Sequence, residues 1–83
     1  MQSILQEAEL IVNGERAQAY GPVKDSFNRI AQMWSVVLGT TVTAEQVGLM
    51  LITMKVARQV NASKRDNLVD IAGYAECIAK LQD

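Results

Sequence analysis

Histidine is absent from this 83-residue sequence, and cysteine and proline occur once each, as Cys77 and Pro22. Without histidine the chain has no Ser-His-Asp or Cys-His catalytic arrangement and no histidine-containing zinc site. A single cysteine also excludes an intramolecular disulfide. The chemistry that is left belongs to carboxylates, lysine, arginine, tyrosine and hydroxyl groups.

A large net charge is missing as well, because 8 Lys and Arg residues stand against 9 Asp and Glu residues, for a formal charge of −1. No basic field is available to attract nucleic acid, so we expect no nucleic-acid partner. The longest apolar stretch, residues 47–54, is far shorter than the ~20 residues of a membrane span. The N-terminus lacks the features of a secretory signal. We therefore expect a cytoplasmic protein without a membrane partner.

Helical periodicity is what the sequence does contain, and no five-residue stretch alternates in the manner of a strand. A chain of this length is shorter than the usual ~100 to 200 residues of a domain, so residues 1–83 are predicted to form a single domain. The pattern predicts an all-α fold, a compact bundle of about four helices that is oligomeric.

The first two helices are predicted from their ends. Ser3, followed three residues later by glutamine, forms a capping box that opens a helix ending at Asn13. Pro22 suits the first turn of a second helix, since its missing N–H would be unpaired there in any case. This second helix ends at Gly39, and Trp34 is assigned to the core.

The third predicted helix begins with a second capping box at Thr43 and runs to about Asn61. Its apolar residues occupy nearly the whole circumference: Val47, Leu49, Met50, Leu51, Ile52, Met54, Val56, Ala57 and Val60. A helix that is apolar all round must be covered all round. Three other helices barely suffice for this, so we predict a homo-oligomer that associates through this helix.

The fourth predicted helix opens at Ser63-Lys64-Arg65-Asp66. Gly73 in its interior costs ~1 kcal/mol relative to alanine, which predicts a close approach by a neighbour. Cys77 is interpreted as a small buried hydrophobe. The residues assigned to the inward face are Leu68, Ile71, Ala72, Ala75, Ile78 and Ala79.

A short turn near residue 62 predicts that the third and fourth helices pack as an antiparallel hairpin. In that hairpin Arg58 faces Asp66 and Lys55 faces Asp70, so two layers of opposite charge meet. Tyr74 lies one turn beyond Asp70 on the same face.

Three interpretations of this cluster stay open. In the first, the charges form two salt bridges that set the register of the hairpin. In the second, the cluster holds a phosphorylated small molecule, with Arg58 on the phosphate and Tyr74 stacking or hydrogen-bonding. In the third, Asp66 and Asp70, with Glu76 and Glu7, bind Mg²⁺, although Glu76 lies about 120° away around the helix.

Tyr20-Gly21-Pro22 is the other distinctive segment. It is either a helix-entry turn in which Tyr20 makes a hydrophobic contact, or a site where Tyr20 stacks on a base beside the free N–H groups of the next helix. Arg16, Lys24 and Arg29 would add positive charge nearby.

Several segments resemble a small family of uncharacterised bacteriophage and prophage proteins: Tyr20-Gly21, Met-Lys-Val-Ala-Arg at 54–58 and Asp-Asn-Leu-Val-Asp-Ile-Ala-Gly-Tyr at 66–74. The same order of elements is more distantly similar to phage nucleotide-modification-associated domains and to the MazG group of all-helical nucleotide pyrophosphohydrolases. The near resemblance implies a phage accessory protein in the host cytoplasm. The distant one implies a nucleotide ligand and metal ligation by Asp66 and Asp70, but the paired Glu-x-x-Glu of MazG is missing.

These observations lead to one principal hypothesis: a phage or prophage protein that binds a nucleotide-type small molecule without catalysis, in nucleotide metabolism or by sequestering a defence signal. We expect no cofactor, and the predicted ligand-binding residues are Tyr20, Lys55, Arg58, Asp66, Asp70 and Tyr74. One alternative is a Mg²⁺-dependent, MazG-like pyrophosphohydrolase. The other is a protein inhibitor of a host defence complex such as CRISPR-Cas.

Overall fold

A computed structural model describes residues 1–82 as a bundle of helices, and no strand occurs among them. Helix α1 spans Ile4–Leu10, a π-helical segment spans Ile11–Glu15, and α2 spans Arg16–Tyr20. Three longer helices follow: α3 (Val23–Leu38), α4 (Ala44–Asn61) and α5 (Arg65–Lys80). Because α1, the π segment and α2 follow one another without a break, residues 1–82 form four helical stretches, and the all-α prediction is confirmed.

Both predicted capping boxes are present. The hydroxyl of Ser3 accepts from the N–H of Gln6 at 3.1 Å, and that of Thr43 accepts from the N–H of Gln46 at the same distance. In return, the N–H of each cap residue donates to Oε1 of its glutamine at 2.9 Å. The second helix ends where predicted, because Gly39 adopts a left-handed conformation with φ of 70°. At the other end of α3 Pro22 is the N-cap, one residue before the helix.

The first helix does not end at Asn13 as predicted. The chain stays helical to Tyr20 by widening into a π-helical turn, in which the N–H of Arg16 donates to the carbonyl of Ile11, five residues back. Asn13-Gly14 indicates a stop only when the next backbone groups lack helical partners. Here the wider turn supplies those partners, and Gly14 lies inside it.

The core forms where α1, α3, α4 and α5 converge. Its buried residues include Val12, Phe27, Val47 and Cys77, and Trp34 is half-buried against them. Helices α4 and α5 approach each other closely at Gly48, where a Cβ would lie 2.8 Å from Cδ1 of Ile78. A helix crossing this tight needs glycine on one side.

Helix α5 uses a different inward face from the predicted one. Val69, Gly73 and Cys77 are buried, whereas Leu68, Ala75 and Ala79 are exposed. Ile71, Ala72 and Ile78 of the predicted stripe are half-buried, so the inward face is rotated from the predicted one and still overlaps it. The rotation follows from packing of α5 against both α1 and α4, and a Cβ on Gly73 would lie 3.4 Å from Cγ2 of Val12.

Helix α4 is covered on one side by the chain itself. Val47 and Gly48 are buried, whereas Leu49 is 50% exposed and Val56 48% exposed, in mid-helix. The outer face of α4 is thus apolar and uncovered, which is the condition on which the predicted homo-oligomer depends. Association itself stays a prediction. None of the helices formed by residues 1–82 has both the length and the apolar content needed to cross a membrane.

Candidate ligand pocket

A pocket of about 290 Å³ lies between the first helical stretch, the beginning of α3 and the middle of α5. Buried apolar side chains form its floor, among them Val12, Phe27 and Val69. Two of the lining residues, Ile11 and Val12, belong to the π segment. Extra turns of this kind occur frequently at functional sites, because they shift the side chains beyond them to a new face of the helix.

Two pairs of polar side chains line this pocket from opposite walls. Arg16 and Tyr20 lie one turn apart on α2, and Asp70 and Tyr74 lie one turn apart on α5. Residues four apart share a helix face, which is why each pair reaches the same space. Each wall therefore presents one charged group and one phenol, and the two charges are opposite in sign.

Three of the six predicted ligand-binding residues thus come together at the pocket. Asp70 and Tyr74 are half-buried in its wall, and Tyr20, which is 65% exposed, lies at its rim. Gly21 follows Tyr20 with a positive φ of 77° and turns the chain into α3. The predicted turn at Tyr20-Gly21-Pro22 is therefore a helix exit as well as a helix entry.

The inner predicted charge layer is present. Nζ of Lys55 lies 2.7 Å from Oδ2 of Asp70, and 14% and 19% of the two side chains are exposed. Lys55 does not line the pocket but lies behind Asp70, on the side of α4. Its role in the site is to neutralise the carboxylate and hold it in place.

The outer charge layer was predicted wrongly. Arg58 and Asp66 are exposed and do not pair with each other in the part of the chain that the structure describes. The facing residues at this level are amides, since Nδ2 of buried Asn67 donates to Oε1 of Gln59 at 3.0 Å. The same Gln59 oxygen accepts from the N–H of Lys64 at 2.9 Å, which closes the turn.

Arg58 and Asp66 also lie away from the pocket, since neither contributes to its walls. The cation at the pocket is Arg16, which the sequence indicates only as nearby charge. Its position depends on the π segment, because a helix that stopped at Asn13 would not carry Arg16 onto this wall. The strong helix formers that follow Gly14, at positions 15–19, were the available signal for a continuous helix.

Arg65 joins the start of α5 to the N-terminal segment of the chain. Its guanidinium forms an ion pair with Glu7 and donates to the carbonyl of Gln2 at 2.9 Å. This contact anchors the start of α1 on the start of α5, so the two helices run side by side in the same direction. Glu7 is thereby paired with a cation, which removes it from the metal-ligand set considered above.

Carboxylates are not grouped in the way that a hard metal ion requires. Within residues 1–82 no group of three or more Cys, Asp or Glu side chains is close enough to share a metal ion. Asp70 is paired with Lys55, and Asp66 is exposed in the first turn of α5. Since Mg²⁺ needs several oxygen ligands around one point, these residues do not fit the metal site of a pyrophosphohydrolase.

Cys77 lines the floor of the pocket as a free thiol. Burial is the main cause that raises its pKa, and the neighbouring charge of Glu76 adds to the rise. The positive charges of Lys80 and Arg16 oppose it. The thiol is therefore protonated at neutral pH, as expected for a small buried hydrophobe and not for a nucleophile.

Comparison with known proteins identifies relatives of this chain. Residues 3–82 match a family described as a domain of unknown function, DUF6378. The Gene 55 protein of Mycobacterium phage L5 is 46% identical over 82 residues, which cover 96% of this chain and 53% of that protein. The Gene 55 protein of Mycobacterium phage D29 is 35% identical over 83 residues, covering 99% of this chain and 55% of that protein.

The chain therefore spans about half the length of these two relatives. No solved structure matches it. The match with the family extends over the whole helical bundle, including both walls of the pocket. The chain is a phage protein and belongs to the DUF6378 family.

Proposed function

We propose that this phage protein binds a nucleotide-type small molecule in the pocket between α2 and α5, without catalysing a reaction on it. The observation that carries the proposal is the convergence of Tyr20, Asp70 and Tyr74 on one pocket. Tyr20 lies on α2, whereas Asp70 and Tyr74 lie on α5, and the sequence predicts all three as ligand-binding residues.

The lining of the pocket suits a flat heteroaromatic ring. An apolar floor favours removal of the ring from water, and tyrosine side chains offer faces and edges for stacking. The carboxylate of Asp70 accepts hydrogen bonds from ring N–H or amino groups. A volume of about 290 Å³ lies at the lower end of the ~300 to 1,000 Å³ typical of ligand pockets. The pocket therefore suits a nucleoside-sized molecule.

Calorimetry with mono-, di- and cyclic nucleotides tests the proposal, and two alanines of α2 supply matched variants. Ala17 lines the pocket, whereas Ala19 is exposed on the same helix and does not. Ala17→Phe should fill the pocket and reduce affinity at least tenfold, and Ala19→Phe should bind as the wild type does. Absence of binding by the wild type to every nucleotide, or equal affinities for the two variants, would contradict the proposal.

The two alternative hypotheses lead to different measurements. A MazG-like enzyme would release phosphate or pyrophosphate from nucleotides with Mg²⁺ or Mn²⁺, and this activity would disappear in Asp70→Asn. An inhibitor of a defence complex such as CRISPR-Cas would co-purify with a host protein in stoichiometric amount. Binding of nucleotide with neither result is the outcome that the present proposal expects. Sequestration of a defence signal and a role in nucleotide metabolism are both consistent with such binding.

A further inference from the structure

Arg16 is the single cation that lines the pocket within the described residues 1–82. Its side chain is exposed at the rim and forms no ion pair within that part of the chain. The acidic group on the opposite wall is different, because Asp70 is already neutralised by Lys55 at 2.7 Å. The pocket therefore has one uncompensated charge, which is positive and lies at its mouth.

We infer that Arg16 binds the phosphate of the ligand and makes the pocket selective for a nucleoside monophosphate over the corresponding neutral nucleoside. This inference rests on the proposed function and deepens it by assigning the anion-binding residue. The guanidinium carries a fork of N–H donors that matches two phosphate oxygens at once.

The arrangement of the two walls orients such a ligand. Tyr20 lies one turn from Arg16 at the rim, whereas Asp70 and Tyr74 lie deeper, half-buried on α5. A base inserted toward α5 would meet the carboxylate and the apolar floor. Its phosphate would then remain at the rim, where Arg16 is exposed and where the anion keeps part of its hydration.

The same arrangement limits how much affinity a second or third phosphate of the ligand can add. Lys24 and Arg29 do not line the pocket, nor does Arg58. A second and third phosphate would extend into solvent without another cation from the pocket wall. We therefore expect a large gain in affinity from the first phosphate, which pairs with Arg16, and less than about threefold from each further one, since a phosphate in solvent with no paired cation gains only screened, long-range attraction.

The test compares adenosine, guanosine, cytidine and uridine with their 5′-monophosphates by calorimetry. Charge-assisted hydrogen bonds predict that the wild type binds the best monophosphate about 10- to 100-fold more tightly than its nucleoside. Arg16→Gln should reduce this ratio to within about threefold while keeping the affinity for the nucleoside. Arg29→Gln is the matched control, since Arg29 is exposed on α3 outside the pocket, and it should keep the full ratio.

The results separate this inference from the proposed function. If nucleosides bind but Arg16→Gln keeps the preference for the monophosphate, the inference is wrong and the proposed function stands. If nucleosides and monophosphates bind the wild type equally, the inference is again wrong. If neither class binds the wild type, both fail. Because Arg16 is exposed, its replacement should leave the thermal unfolding temperature unchanged, and circular dichroism verifies this for each variant.

Discussion

Lys55 and Asp70 join α4 to α5 through a contact of 2.7 Å between Nζ and Oδ2, with less than a fifth of either side chain exposed. The pair lies directly behind the pocket, so Asp70 contributes to stability and to the pocket wall at once. Removing one member of such a pair leaves the other charge buried without a partner.

Asp70→Asn should therefore lower the free energy of unfolding by about 3 kcal/mol. Asp66→Asn is the matched control on the same helix, and because Asp66 is exposed, its effect should stay within about 0.5 kcal/mol. Urea denaturation of both variants gives the comparison. Equal and small effects would show that the Lys55–Asp70 pair contributes no more to the free energy of unfolding than an exposed pair does.

Gly48 should not tolerate a side chain. A Cβ at this position would meet Cγ1 and Cδ1 of Ile78 on α5, so Gly48→Ala should destabilise the protein by about 1 to 3 kcal/mol despite the better helix propensity of alanine. Gly14→Ala is the control, since nothing lies within 4 Å of a Cβ there. That variant should be neutral or slightly more stable in the same denaturation experiment.

The contact with Ile78 also predicts coupling. Ile78→Ala removes the atoms that a Cβ on residue 48 would meet, so the double variant should be less destabilised than the two single effects combined. If the two single changes in unfolding free energy simply add in the double variant, then the effect of Gly48→Ala does not arise from contact with Ile78.

The uncovered face of α4 predicts association in solution. Leu49 and Val56 are about half exposed in mid-helix, and replacing both with glutamine should shift the wild-type oligomer to a monomer in native mass spectrometry, because apolar contact area drives such association. Leu5→Gln is the control, since Leu5 is 74% exposed on α1, away from α4. A wild type that is monomeric at every concentration would contradict the prediction.

Alkylation of Cys77 tests the burial of the pocket floor. Because burial raises the pKa of this thiol above its ordinary value, its reaction with iodoacetamide should reach half of its maximal rate at a higher pH than that of a free cysteine. A nucleotide bound in the pocket should slow the reaction further. A reaction at neutral pH as fast as that of free cysteine would show that the thiol is exposed.

The raised pKa of Cys77 has a corresponding effect on stability. The folded state holds the thiol proton more tightly than the unfolded state, so this contribution is complete below the unfolded pKa and is lost as the pH rises through the folded pKa. As the pH rises past the ordinary pKa of a thiol, the wild type should therefore lose more unfolding free energy than Cys77→Ala. Parallel pH profiles for the two proteins would contradict this.

Local signals in the sequence correctly predicted the helix starts at Ser3 and Thr43, the helix end at Gly39 and one side-chain pair, but not the end of the first helix. The capping boxes at Ser3 and Thr43 involve only neighbouring residues, and the Lys55–Asp70 contact follows from the geometry of a short antiparallel hairpin. The next layer of the hairpin was wrong because the choice between Asp66 and Asn67 depends on a rotation of less than one third of a turn. Spacing alone does not determine that rotation.

The pocket was only partly predictable for a different reason. Arg16 reaches it because the helix widens after Leu10, and the helix stays intact there because Val12 packs against α5. This packing partner is about 60 residues away in the chain. A stop signal such as Asn13-Gly14 is a local preference of about 1 kcal/mol, and burial of apolar side chains exceeds it.

The hairpin of α4 and α5 closes a loop of only a few residues, whereas the contact between Arg65 and Glu7 joins residues 58 positions apart in the chain. Loop closure over that distance is entropically costly and slow, so docking of α1 should be among the last events of folding. The pocket has no second wall until this step is complete. A ligand that fills the pocket therefore stabilises the state in which α1 is docked on α5. It should slow hydrogen exchange of the α1 amides more than that of the α4 amides.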